Sequence, residues 1–110
     1  MNKTLAALAA LLLTASLSGC TGVSKSMSLD EFGEFCNDEF GYAEDCDSGS
    51  ICATYRQALD RQFASVKECT SLCNKIDSEL WMQNVMTECS AVVGNATDWC
   101  EQYCHRNVKP

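Results

Sequence analysis

Two apolar patterns share this chain. Between Cys52 and Val92 the apolar residues recur at steps of three and four: Cys52, Tyr55, Leu59, Phe63 and Val66, then Cys69, Cys73, Ile76 and Leu80, then Trp81, Val85, Cys89 and Val92. That is the period of an amphipathic helix, and no long stretch alternates with the period of two that a strand requires. Between Gly49 and Gly94 there is no glycine, and the single proline is the terminal Pro110. One helix over 50–93 would far exceed the usual length of about 11–12 residues, so capping residues place the breaks. Ser28-Leu29-Asp30-Glu31 and Ser65-Val66-Lys67-Glu68 are capping boxes. Gly94 suits a helix end, and Asn95 and Thr97 offer N-caps for a last helix. The pattern predicts an all-α domain of four to five short helices near 29–41, 50–64, 66–76, 78–93 and 98–107. A loop over 41–49 is pinned by Cys46.

The second pattern is the unbroken apolar run Leu5–Leu13, behind Met1-Asn2-Lys3 and ahead of the small and polar residues Thr14–Gly19. This is the layout of a secretory signal peptide. Nine strongly apolar residues fall short of the roughly 20 that a membrane-spanning helix needs. The stretch ends in Leu17-Ser18-Gly19-Cys20, which resembles the lipobox of bacterial lipoproteins, L-[AS]-[GA]-C, at every position. The resemblance covers residues 1–20. It implies that 1–19 is removed as signal peptide and that Cys20 becomes an acylated N-terminus, carrying diacylglycerol on its thiol. The residue after the cysteine influences sorting in that family. Thr21 in place of an aspartate implies the outer membrane, facing the periplasm. Two or more acyl chains anchor stably, and one only marginally. Residues 20–27 then form the lipidated N-terminus and a short polar tether, and 28–110 form one cysteine-rich domain.

Cysteine parity agrees with this division. The chain has nine cysteines, and Cys20 is the odd one. The other eight are Cys36, Cys46, Cys52, Cys69, Cys73, Cys89, Cys100 and Cys104. An exported domain of about 80 residues buries a modest core and is commonly stapled by disulfides. Cys69-x3-Cys73 and Cys100-x3-Cys104 each set two thiols one helical turn apart on one face. Bonds between the two pairs would clamp two helices, whereas bonds within a pair would close a very short loop and restrain little. The spacing is similar to that of small helical hairpins with paired C-x3-C motifs. Cys69 and Cys73 are therefore expected to bond Cys100 and Cys104, in either order. Cys36, Cys46, Cys52 and Cys89 then pair among themselves.

Charge narrows the partners. All fifteen acids lie in the mature chain against seven Lys and Arg, which disfavours nucleic acid and anionic lipid surfaces. Eight acids fall between Lys25 and Arg56 with no base among them. Within that segment Asp38, Glu39, Glu44 and Asp45, beside Phe32, Phe35, Phe40 and Tyr42, form the candidate face for a basic protein partner. Trp81, Met82, Val85 and Met86 form an apolar strip that the spacing assigns to the core, with a groove for a partner helix or lipid as the alternative.

Catalytic and metal chemistry find little footing. No C-x-x-C is present, the one histidine is His105, and a zinc site would need thiolates in an oxidising compartment. Asp45-Cys46-Asp47-Ser48-Gly49 is similar to the start of a calcium loop, but the glycine comes one place early and Arg56 stands where the last acid should be. Cys100-Glu101-Gln102-Tyr103-Cys104-His105 resembles the c-type haem attachment motif with one extra residue. That resemblance implies thioether bonds from Cys100 and Cys104, His105 as axial ligand, and Met82 or Met86 as the sixth. The sequence thus favours a non-catalytic, cofactor-free lipoprotein anchored to the membrane by its lipid and binding another envelope or secreted protein. The role would be pilotin-, immunity- or inhibitor-like. An electron-transfer haem protein is the alternative, and a purely structural envelope component is a third class.

Overall fold

The computed structural model describes residues 25–38 and 46–109. These residues fold as four helices without a strand: α1 Leu29–Asp38, α2 Ser48–Leu59, α3 Val66–Asn84 and α4 Ser90–Asn107. The expected disulfide-stapled all-α class is correct. Signal peptide, Cys20 and the tether as far as Ser24 lie outside the described residues, as do Glu39, Phe40, Tyr42, Glu44 and Asp45.

The capping residues act largely as the sequence predicts. Glu31 N–H donates to Ser28 Oγ at 3.0 Å, and Ser28 N–H donates back to the Glu31 carboxylate at 3.4 Å. Ser65 Oγ accepts from Glu68 N–H at 3.1 Å. The Glu68 carboxylate does not close that second box. It accepts instead from Ala64 N–H at 2.8 Å and from Arg61 at 2.6 Å, which holds the α2–α3 turn. Asp47 starts α2 by accepting from Ser50 N–H at 3.0 Å, so the calcium-like stretch is a helix cap.

Three helix boundaries differ from expectation. The segments predicted over 66–76 and 78–93 are one helix to Asn84, and the turn comes at 85–89. Asp77, at the expected break, is inside the helix, and its carboxylate accepts a hydrogen bond from Thr97. Thr87 makes the turn: its N–H and hydroxyl both donate to Asn84 O, and its hydroxyl accepts from Cys89 N–H. Gly94, Asn95 and Thr97, read as a helix end and two caps, lie inside α4. α2 ends at Leu59 rather than at 64, where Asp60 N–H folds back onto Gln57 O.

Cross-links fix how the helices run. Cys36–Cys52 and the Asp30–Arg56 ion pair make α1 antiparallel to α2. Cys69–Cys104 and Cys73–Cys100 make α3 antiparallel to α4. Phe32 meets Tyr103 edge-on at 6.5 Å and Phe35 stacks on Trp99 at 4.7 Å, so α1 is also antiparallel to α4. The result is an up-down-up-down bundle with two distinct ends. The proximal end holds Met27, the starts of α1 and α3, and the ends of α2 and α4. The distal end holds the end of α1, the start of α2 and the α3–α4 turn. Nineteen residues make α3 about 28 Å long, which sets the distance between the ends.

Sulfur fills much of the interior. Seven of the sixteen buried hydrophobic residues among those described are cysteines. Tyr55, Phe32, Leu59, Val92 and Val93 supply the bulk around them. Met27, placed by the sequence in the tether, is 2% exposed, and its N–H donates to Asn107 Oδ1 at 3.1 Å. The folded domain therefore begins one residue earlier than the capping box suggests.

Candidate functional site

The C-x3-C pairs cross-link as expected, and the structure fixes their order: Cys69 with Cys104, and Cys73 with Cys100. The two rungs are adjacent, with Cys73 Sγ and Cys104 Sγ 3.6 Å apart. The remaining four pair as Cys36–Cys52 and Cys46–Cys89. Haem attachment does not fit this arrangement. Cys100 and Cys104 are fully buried and each is already bonded to a cysteine of α3, so neither has a thiol to add to a vinyl group. His105 is exposed on the last turn of α4, and Met82 and Met86 lie at the other end of the bundle.

A buried polar chain crosses the centre. Tyr55 Oη and Thr97 Oγ1 are 2.6 Å apart, and Thr97 Oγ1 lies 2.8 Å from Asp77 Oδ1. Burial pushes the Tyr55 phenol up to about 12, against the Thr97 hydrogen bond and with the Asp77 charge. Tyr55 is completely buried, and this group ties α2 to α3 and α4. Among the described residues no group of three His, Cys, Asp or Glu is placed to hold a metal ion. No described helix is long and apolar enough to cross a membrane.

The surface is more informative than the interior. Asp38 is exposed at the distal end of α1. Glu39, Glu44 and Asp45 are not described, but the segment that carries them ends at Cys46, which is bonded to Cys89 beside the α3–α4 turn. The aromatic residues of that region divide: Phe32 is buried, and Phe35 covers Trp99.

Trp81, Met82, Val85 and Met86 are not core. They are 47%, 70%, 43% and 93% exposed. The reason is rotational. α3 turns Cys69, Cys73, Ile76 and Leu80 toward its neighbours, and one or two further residues carry the side chain to the opposite face. Along that outward face Lys67, Ser71, Asn74, Lys75 and Ser78 are polar and exposed, and the last turn alone becomes apolar.

Sequence reasoning missed the exposure because it placed the turn wrongly. A signal was present. Both disulfide rungs are symmetric about a point between Met86 and Thr87, so this pairing puts the α3–α4 turn there. Residues 81–86 then stand beyond the last rung, where the bundle offers few neighbours.

Basic residues are segregated along the same axis. From Ile76 to Cys104 there are five acids and no Lys or Arg. Glu79, Glu88 and Asp47 are exposed around the distal end. Arg56, Arg61, Lys67, Arg106 and Lys109 lie toward the proximal end, where Arg56 and Arg61 are paired with Asp30 and Glu68. Comparison with protein-family models, with curated proteins and with solved structures finds no match to this chain.

Proposed function

We propose that this chain is a lipid-anchored bacterial envelope protein, facing the periplasm from the outer membrane, that binds another protein rather than carrying out chemistry. The observation that carries the reading is the polarity of the bundle. The chain enters at the proximal end, where Met27 is buried and bonded to Asn107. Residues 20–26 span at most roughly 25 Å. A lipid on Cys20 would thus hold the proximal end near the bilayer, and the distal end would be the one presented to other molecules. The lipobox resemblance supports the anchor. The exposed apolar residues of the distal end support binding.

The test has two arms. Labelled palmitate should be incorporated into the wild-type chain and not into Cys20→Ser, and the variant should leave the membrane fraction. Labelling and fractionation of the variant like wild type would remove the anchor. Cross-linking in intact envelopes should recover one stoichiometric protein partner, and recovery of none would remove the binding role.

A further inference from the structure

We propose that the exposed strip formed by the last turn of α3 and the start of the turn after it, Trp81, Met82, Val85 and Met86, docks a cationic amphipathic helix of the partner protein. This deepens the binding role proposed above and rests on it. Trp81 and Met82 lie in the last turn of α3, the C-cap Val85 keeps helical backbone four residues past Trp81, and Met86 follows it into the turn, so the four form one run of exposed apolar residues. A soluble domain rarely leaves such a strip bare unless something covers it. Its composition suits a helix: a tryptophan to anchor, and two unbranched methionines that mould to different side chains. An amphipathic helix laid on an apolar face is a recurrent mode of peptide recognition.

Charge selects the occupant. Glu79 and Glu88 are exposed just before and just after the strip, and no Lys or Arg occurs between Lys75 and Arg106. A second copy would bring these acids against their own counterparts. An anionic bilayer would repel them, and the strip is at the opposite end from the lipid. Lysines or arginines flanking the apolar face of a partner helix meet Glu79 and Glu88 and leave the strip buried. Association should be fast at low salt and should weaken as salt rises.

The soluble full-length Cys20→Ser chain and a synthetic Leu–Lys peptide with helical amphipathic spacing supply the test, with a Leu–Glu peptide of the same spacing as control. In methionine-methyl NMR the Met82 and Met86 signals should shift with Leu–Lys peptide, and that of Met27, buried at the other end, should stay in place. Binding should weaken at least tenfold in Met82→Ser/Met86→Ser, whose side chains are exposed and leave the core intact. Glu79→Gln/Glu88→Gln should also weaken it and flatten its salt dependence. Equal binding of Leu–Glu peptide, or unchanged affinity in the methionine variant, would overturn the proposal. So would self-association through the strip, or binding of phosphatidylglycerol vesicles that the methionine variant abolishes. If the methionine variant still cross-links its envelope partner as wild type does, the strip is wrong and the binding role stands. If wild type captures no partner, the binding role itself has failed.

Discussion

Thr97 has one hydroxyl proton and three oxygens around it: Tyr55 Oη at 2.6 Å, Asp77 Oδ1 at 2.8 Å and Val93 O at 2.9 Å. The arrangement that satisfies most groups has Tyr55 donate to Thr97 and Thr97 donate to the Asp77 carboxylate, the stronger acceptor. Thr97→Val leaves the buried phenol without a partner and should cost about 1–3 kcal/mol in urea unfolding at neutral pH. The phenol also couples stability to pH. Its value is raised from 10.0 to about 12, so the unfolded chain loses this proton first. Stability should be complete below pH 10 and fall as pH rises toward 12, by about 2–3 kcal/mol at the limit. Tyr55→Phe should remove most of that slope. Tyr103, raised by burial and then by Asp60, keeps part of it. An equal slope in both proteins above pH 10 would show that Tyr55 ionises without penalty.

Gly94 shows how element boundaries mislead. In the sequence it ends a helix, before Asn95 and Thr97. In the structure it is an exposed residue inside α4, and a Cβ placed there would meet nothing within 4 Å. Nothing in its backbone calls for glycine. Gly94→Ala should therefore raise stability by about 0.5–1 kcal/mol, read as a higher urea midpoint at unchanged slope. A lower midpoint would place a real helix end at this position. The same miscount moved the α3–α4 turn. Caps and glycine are local signals, and here the turn is held by Thr87 and by disulfides to distant residues.

At the scale of the molecule, cross-links do what a larger apolar core would do. Few large aliphatic side chains are buried, and the bundle is held at both ends and through its middle by sulfur. Thiol titration of the denatured, unreduced domain from Thr21 onward should find none, and reduction should abolish cooperative unfolding. Cys46 is half-buried and Cys89 is buried, so Cys46→Ala/Cys89→Ala removes the cross-link without burying a hydroxyl. That variant should lose about 2–4 kcal/mol in urea unfolding, because it releases the longest of the four loops, with a separation of 43 residues. A loss below about 1 kcal/mol would mean that the distal end is held by packing alone.

Helical class, the Ser28 capping box and the pairing of one C-x3-C with the other were legible in the sequence. Each is set by spacing along a few turns, where chain geometry leaves little choice. Glycine-free periodicity over 50–93 demands helices whatever surrounds them. The order of the rungs, the partners of Cys46 and Cys52, and the role of Thr97 depend on which helices are neighbours. The Trp81–Met86 strip follows the same logic. Its period is that of a core face, and it became surface only because α3 runs on past its last disulfide and turns these residues away from the bundle. Local sequence determines which residues share a helical face. Only the packing of all four helices decides whether that face is covered.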